Sequence, residues 1–325
     1  MRPIVALFLA VAAAAPQPAA LAREASRPDR PILVTVDDLP ISSARLHPGA
    51  EERERITRRL LAALRARGIR AVGLVTWRNV RDEADRKLLD LWLEAGHELG
   101  SHSFGHPDLT RTPVEDWIAD VERGREELAA FLAERGRTPR FFRFPFLREG
   151  STPVQLAEAR AWLSRTGQRN LPVTIDNQDW SFEEPWVEAR RRGDRRAAAR
   201  LGEDFQASLR LAVERQERLG DDLFGRATPQ VLLLHATEVG AAAWNRLFAR
   251  LEESGHRFAT ADEVLADPAF ADPPPFLASF GCGLWDRIAH ARDAERMRAD
   301  AEALLLRRAE AWSRGDLAPF PPAYD

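Results

Sequence analysis

Residues 31–38 read Pro-Ile-Leu-Val-Thr-Val-Asp-Asp, and the fold of the chain can be inferred outward from this stretch. The run is apolar and β-branched, and it lacks the alternation of polar and apolar residues that marks a half-exposed strand. Strands of this kind are buried on both faces, as in the middle of a parallel sheet. The paired Asp37 and Asp38 stand where this strand ends.

Strand and helix patterns alternate about seven times along the chain. Several of the helical segments end at glycine, which is a common residue at a helix end. Further strands are predicted near residues 70–76, 98–101, 140–143, 172–176, 230–235 and 257–260. The alternation predicts an α/β fold with a mainly parallel sheet, either a barrel or a doubly wound sheet. Both architectures place their chemistry at the carboxyl ends of the strands.

The composition of the 325 residues narrows the class of protein. Apolar residues make up 45% and charged residues 30%, which excludes a wholly disordered, collagen-like or coiled-coil chain. The net charge of −3 gives no reason to expect nucleic acid as a partner. Cys282 is the only cysteine, so an intrachain disulfide and a site built from several cysteines are both excluded.

Residues 1–22 have the features of a secretory signal peptide: a basic start, an apolar run, and the small residues Ala20 and Ala22 at positions −3 and −1 of the expected cleavage site. The apolar run is too short for a membrane span, which needs ~20 apolar residues. We therefore expect cleavage near Ala22, export to the periplasm or the cell exterior, and no stable membrane insertion. The polar residues 23–30 predict a linker.

Carboxylate and imidazole side chains follow two of the predicted strands. Asp37 and Asp38 are costly to bury side by side without a cation or a proton, although such a pair can also cap a turn. His102 and His106 lie four residues apart, and in a helical turn their imidazoles would share one face. A carboxylate and two histidines leave coordination positions open, as a catalytic metal requires.

Three further polar residues stand at predicted strand ends. Arg143 lies in an apolar strand end, where it either pairs with a carboxylate such as Asp37 or reaches solvent from the sheet edge. Asp179 follows a strand, where it either orients a histidine or caps a helix. His235 ends the apolar strand 230–235. Together these residues predict an active site at the carboxyl ends of the strands.

The order of these motifs resembles the polysaccharide deacetylases with a NodB homology domain, which form carbohydrate esterase family 4. Residues 31–265 carry five motifs in the order of that family. They are Thr35–Pro40, Gly96–Leu109, Arg143–Phe146, Asp176–Trp180 and Leu234-His235. The resemblance implies a distorted (β/α)7 barrel, a divalent metal (Zn2+, or Co2+ or Ni2+) and hydrolysis of N-acetyl or O-acetyl groups on a glycan.

The resemblance also assigns a role to each matching residue. Asp37 matches the general base and Arg143 the arginine that holds it. His235 matches the general acid, which donates a proton to the leaving group, and Asp179 matches the aspartate that supports it. The positions that match the metal ligands are Asp38, His102 and His106.

Further matches concern the substrate. Phe146 stands where tyrosine is commoner in the family, and its backbone N–H would bind the oxyanion. Trp180 and Leu234 match walls of the acetyl pocket. Leu39 replaces the family's glycine in the first motif, which predicts a narrower groove near the metal. Residues 181–228 are longer than the family core needs, and within them Trp186 is expected either to form a wall of the substrate groove or to anchor an outer helix.

The expected function is metal-dependent deacetylation of a glycan, in which the metal activates water, Asp37 is the base and His235 the acid. One alternative is a hydrolase of another non-peptide C–N bond on the same scaffold, and another is a catalytically inactive carbohydrate-binding protein. Residues 266–325 are expected to form a C-terminal extension with one long helix near 285–313. The sequence gives no indication of the oligomeric state.

Overall fold

The computed structural model of the chain describes residues 29–271 and 275–297. Its named strands are β1 (Arg30–Leu39), β2 (Val72–Val75), β3 (Glu98–Ser101), β4 (Phe141–Phe142), β5 (Arg169–Asn170), β6 (Gln230–His235) and β7 (His256–Phe258). They form one parallel sheet in the order β5-β4-β3-β2-β1-β6, and β7 pairs with the start of β1. The expected α/β fold of the (β/α)7 type is confirmed.

Helices connect the strands and cover the outside of the sheet. They are α1 (Ala50–Arg65), α2 (Glu83–Glu94), α3 (Val114–Ala133), α4 (Pro153–Thr166), α5 (Glu183–Arg191), α6 (Arg195–Phe224), α7 (Glu238–Glu253) and α8 (Ala261–Leu265). Asp82, Thr152, Asp194, Thr237 and Thr260 each begin a helix and accept a hydrogen bond from a backbone N–H of its first turn. No described helix is long and apolar enough to cross a membrane.

The segment that follows β5 bridges the two ends of the sheet and gives the barrel its distortion. The N–H of Leu171 donates to β4 at 2.7 Å, whereas the N–H groups of Thr174 and Ile175 both donate to β6 at 3.0 Å. The predicted strand over 172–176 is therefore wrong, because regular pairing ends before it and only Ile175 forms a bridge to β6. Pro172 has no N–H with which to continue the ladder.

Side chains of β1 alternate between two faces, and this alternation places the site. Val34 and Val36 pack with the helices, whereas Leu33 belongs to the cluster inside the barrel. Because the side-chain period of a strand is two, Thr35 and Asp37 share the inner face with Leu33. The carboxyl end of the barrel therefore receives the Asp37 carboxylate.

Leu39 is buried in the core and does not narrow the groove as the sequence led us to expect. Its side chain lies over Gly73 of β2, where an added Cβ would be only 2.2 Å from Leu39 Cδ1. Because Gly73 has no side chain, the side chain of Leu39 can pack directly against the backbone of β2.

The described part of the C-terminal extension packs into the barrel. Residues 284–297 are helical, and Leu284, Trp285 and Ile288 are buried in the interior cluster. The indole N–H of Trp285 donates to Gln230 Oε1 at 3.1 Å. The predicted signal peptide over 1–22, the linker up to residue 28 and the predicted helix beyond residue 297 lie outside the described residues.

Candidate functional site

Asp37 is buried at the carboxyl end of β1, and its two carboxylate oxygens face different partners. Oδ1 accepts a hydrogen bond from Arg143 Nη1 at 2.5 Å, while Oδ2 lies 3.6 Å from His102 Nε2. Arg143 is buried as well, and it also donates to Thr35 Oγ1 and to the carbonyl oxygen of Leu171. The guanidinium thus fixes the carboxylate and leaves Oδ2 directed toward His102.

The backbone of Asp38 adopts a left-handed conformation, with φ of 61°, and its carboxylate has hydrogen-bond partners of its own. Its Oδ1 accepts a hydrogen bond from Thr76 Oγ1 at 2.8 Å, and its Oδ2 accepts one from Ser42 Oγ at 3.4 Å. Asn79 donates to its carbonyl oxygen at 3.3 Å. Two adjacent carboxylates are therefore held in separate positions.

His102 and His106 direct one nitrogen each at the same point, and the two Nε2 atoms lie 3.2 Å apart. Nδ1 of His102 is 2.8 Å from the carbonyl oxygen of Arg143. A carbonyl accepts only, so Nδ1 carries the hydrogen and Nε2 keeps its lone pair. The possible ligand atoms of Asp38, His102 and His106 all lie within 4.8 Å of one another. This donor set fits a divalent metal ion.

The turn that joins the two histidines is not helical, so the expected helical turn is corrected. Ser103 and His106 have φ of 75° and 61°, in the left-handed region. Asp120 of α3 holds the turn by accepting hydrogen bonds from two of its backbone N–H groups at 3.0 Å. Gly124 permits this approach, because an added Cβ would lie 2.3 Å from the backbone of Ser103.

The protonation states of this cluster suit metal binding. Burial acts to raise the pKa of Asp38, but the charges of the neighbouring imidazoles, that of His106 first, and the hydrogen bond from Thr76 lower that pKa to about 2. Burial lowers the pKa of His106 to about 4 and outweighs the attraction of Asp38. Near neutral pH the site thus offers an ionised carboxylate and a neutral imidazole, the forms in which these groups bind metals.

His235 lies at the end of β6 and forms a pair with the buried Asp179. Its Nδ1 is 2.6 Å from Asp179 Oδ1, and its backbone N–H donates to Oδ2 at 2.8 Å. Burial acts to lower the pKa of His235, but the charge and hydrogen bond of Asp179 outweigh it, and Asp38 and Asp37 add to the effect, so that the pKa rises to about 10. The imidazole is therefore cationic near neutral pH.

One cavity of about 530 Å³ joins these groups at the carboxyl end of the barrel. It is lined by Asp37, Asp38, His102, His106 and His235. Arg143 and Asp179 lie behind the lining, each bonded to one of its members. The structure thus brings together all seven residues to which the sequence assigned acid–base, supporting or metal-binding roles.

The four residues expected to contact substrate divide into two pairs. Phe146 and Trp180 line the cavity and are exposed. Leu234 does not, because it faces the helices, and its neighbour Leu233 lines the cavity instead. This correction follows from strand alternation, since Leu233 shares a face with His235. Trp186 lies on α5 against Gly202 of α6 and is absent from the lining of this cavity.

Several site residues were not found from the sequence. Thr76, which orients Asp38, follows β2 and could have been identified by the same strand-end rule. Asp176, which begins the fourth motif but received no role from the sequence, lines the cavity, and burial raises the pKa of its carboxyl group. Phe280 and Gly281 also line the cavity, but they come from the proline-rich stretch after residue 271, where no strand or helix pattern could place them.

A second group of possible metal ligands comprises His47, Glu52 and Glu238. Its members already have partners: His47 Nε2 is 2.7 Å from Glu183 Oε1, and Arg190 lies 3.3 Å from Glu238. None of the three lines the cavity described above. The cluster of Asp38, His102 and His106 is therefore the candidate metal site that opens onto the acid–base groups.

Two comparisons relate the chain to polysaccharide deacetylases. The family model for polysaccharide deacetylases matches residues 24–161. A peptidoglycan-N-acetylglucosamine deacetylase, PgdA of Listeria monocytogenes, is 21% identical over 246 residues, which are 74% of this chain and 40% of the relative. The chain thus spans less than half the length of that relative. The family resemblance inferred from the motifs is confirmed.

Solved structures show the same fold. A chitin deacetylase from Colletotrichum lindemuthianum is 22% identical, with a TM-score of 0.50 over 73% of this chain and 89% of that one. A CE4 family pseudoenzyme from Bacillus anthracis is 17% identical, with a TM-score of 0.50 over 73% of this chain and 66% of that one. At these identities the likeness concerns the fold alone.

Proposed function

We propose, on the premise that this chain belongs to the polysaccharide deacetylase family, that it hydrolyses acetyl groups on a glycan. The preferred bond is the C–N bond of an N-acetyl group, and O-acetyl esters are the second class of substrate. The observation that carries the proposal is that an Asp–Arg pair, an Asp-His-His cluster and an Asp–His pair open into one cavity.

Asp38, His102 and His106 would hold the divalent metal, with Zn2+ as the first candidate and Co2+ or Ni2+ as alternatives. When bound, such an ion polarises a carbonyl group and makes water a stronger acid. The carbonyl oxygen of Arg143 fixes the tautomer of His102, and Thr76 and Ser42 fix the carboxylate of Asp38. These contacts hold the ligands ready without further rearrangement.

Asp37 is the proposed general base. Its Oδ1 is occupied by Arg143, so Oδ2 is the oxygen that accepts a proton from the attacking water. The water oxygen bonds to the acetyl carbon, and the carbonyl oxygen gains negative charge. The backbone N–H of Phe146 is proposed to stabilise that charge, because the residue lines the cavity beside His106, with ring centroids 4.5 Å apart.

His235 is the proposed general acid. Its Nδ1–H donates to Asp179, which leaves Nε2–H to protonate the leaving nitrogen while the C–N bond breaks. The products are acetate and a free amine on the sugar. Without this proton the amine would be a very poor leaving group. The carboxylate of Asp179 is proposed to keep His235 cationic until the proton moves.

Acetate release from a panel of acetylated glycans tests the proposal. The panel contains chitin-type oligomers, peptidoglycan and O-acetylated polysaccharides, together with small N-acetyl amides. We expect acetate from at least one glycan, loss of activity after dialysis against a chelator, and recovery on addition of a divalent metal. If only the small amides are hydrolysed, the substrate is another class of non-peptide C–N compound and not a glycan. Glycan binding without acetate release would indicate an inactive carbohydrate-binding protein.

We also propose that the protein acts outside the cytoplasm, where such glycans are found. The support is the signal-peptide pattern of residues 1–22, which ends with the small residues Ala20 and Ala22 at positions −3 and −1. N-terminal sequencing of protein recovered from the producing cells tests it, and we expect the chain to begin at Arg23. An N-terminus that still contains residues 1–22 would contradict cleavage.

A further inference from the structure

The C-terminal segment of residues 275–283 reaches the same cavity as the acid–base groups. Phe280 and Gly281 line that cavity together with His106, Phe146 and Trp180. The segment lies beyond residues 24–161, which the family model matches, and beyond the five motifs. This wall of the cavity therefore comes from a part of the chain to which no functional motif was assigned.

Close contacts fix the segment against the loop that carries Phe146. At Gly281 an added Cβ would lie 1.8 Å from the carbonyl oxygen of Phe146, so only glycine fits there. The N–H of Ala278 donates to the carbonyl oxygen of Gly150 at 3.3 Å. Arg287, in the helix that follows, donates to the carbonyl oxygen of Leu147 at 2.8 Å. The segment is thus docked along the loop from both sides of Gly281.

Exposed aromatic side chains are concentrated at this cavity. Among the residues that the structure describes, the exposed phenylalanines and tryptophans are Phe146, Trp180 and Phe280, with exposed fractions of 52%, 54% and 51%. All three line the same cavity, although they come from three separate parts of the chain. Exposed aromatic surface gathered in one place is a feature of binding sites.

Two neighbouring rings pack against the ring of Phe280, and a polar amide lies in the lining of the same cavity. The ring centroid of Phe280 lies 5.8 Å from that of Phe276 and 6.4 Å from that of His290. The amide of Gln178, which also lines the cavity, can donate to and accept from hydroxyl groups. A pyranose ring has an apolar C–H face and a rim of hydroxyl groups, which matches aromatic faces beside such polar groups.

We propose that Phe280 forms a sugar-binding subsite that holds the pyranose ring next to the reacting residue. The C-terminal segment then makes the enzyme prefer an oligomeric glycan over a single acetylated sugar. This inference rests on the proposed deacetylase function and adds to it a specificity element outside the family motifs.

The test compares kcat/KM on an N-acetylated glycan oligomer with kcat/KM on the acetylated monosaccharide. Phe280→Ala should lower the oligomer-to-monosaccharide ratio roughly tenfold, the usual order of one aromatic contact. Phe280→Trp should restore most of the ratio. Leu277→Ala is the matched control, because Leu277 is an exposed apolar residue of the same segment that does not line the cavity. It should leave the ratio as in the wild type.

The melting temperatures of all three variants are measured as well, and we expect them to equal that of the wild type. This measurement shows whether a lower ratio of kcat/KM comes from unfolding. A ratio unaltered by Phe280→Ala, in a wild type that releases acetate, would overturn the subsite alone. If no substrate releases acetate, the proposed activity fails, and calorimetric binding of the oligomer decides the subsite separately. Weaker oligomer binding by Phe280→Ala would then support the subsite, and equal binding would overturn it.

Discussion

Asp37 and Asp38 are consecutive in the chain, yet their carboxylates have different partners and different proposed tasks. Asp37 is bonded to the buried Arg143, whereas Asp38 is bonded to Thr76 and faces His106. A regular strand would send two consecutive side chains to opposite faces of the sheet, whereas Asp38, with its left-handed φ, lines the same cavity as Asp37. The local backbone therefore permits one residue to act as base and its neighbour as ligand.

The pair of His235 and Asp179 predicts how activity depends on pH. The acid must be protonated, so activity falls as the pH rises through the pKa of His235, which Asp179 raises. In Asp179→Asn that pKa falls toward or below its ordinary value of ~6.5. We expect the alkaline limb of the kcat/KM profile to move to lower pH in this variant. An alkaline limb at the wild-type position would contradict the assignment of His235 as the acid.

At the scale of the elements, α3 positions the turn that carries both histidines. Asp120 and Gly124 make this contact, and neither belongs to a motif noted from the sequence. The sequence indicated correctly that two histidines four residues apart converge. It suggested a helical turn, however, because spacing alone cannot show that Ser103 and His106 adopt left-handed conformations. The contact with α3 selects that turn, and such long-range packing is not visible in local sequence.

Gly124→Ala tests this role of α3. The added methyl group would overlap the backbone of Ser103, and overpacking of this kind costs ~1–3 kcal/mol. We expect a lower free energy of unfolding and weaker metal binding, measured by denaturant titration and by metal titration. Gly202→Ala is the matched control, since its added Cβ meets Trp186 at 3.4 Å, an ordinary contact, and a helical alanine is favoured by up to ~1 kcal/mol. Equal metal affinity in both variants would contradict the role of α3.

Substitution of the two tryptophans near the start of α5 should have opposite effects on stability and on kcat/KM. Trp186 is partly buried against the core and contacts α6, so Trp186→Ala should cost about 3 kcal/mol, the lower end for truncating a buried tryptophan. Its kcat/KM on a glycan should remain as in the wild type. Trp180→Ala, which removes an exposed ring that lines the cavity, should lower kcat/KM with little change in melting temperature. A lower kcat/KM with an unchanged melting temperature in Trp186→Ala would instead indicate that Trp186 forms a wall of the substrate groove.

At the scale of the whole molecule, the fold could be predicted because local sequence patterns indicate where most strands and helices begin and end. Apolar runs, glycine stops and strand-end aspartates mark the barrel, and the residues that line its carboxyl end follow from strand order. The irregular closure after β5 was missed, because the ladder passes from β4 to β6 within a few residues. The place of Phe280 was missed for a similar reason, since only packing of the C-terminal segment brings it to the cavity.

Our central claim is that one metal centre, with Asp37 as base and Asp38 as ligand, performs the deacetylation. The most direct test measures metal content and acetate release together for Asp37→Asn, with Asp38→Asn prepared in parallel. We predict that Asp37→Asn keeps close to one metal ion per chain while kcat falls ~10²–10⁴-fold, the usual loss of a general base. Asp38→Asn should lose metal and activity together. Loss of the metal from Asp37→Asn, or near-normal turnover by that variant, would contradict this division of roles.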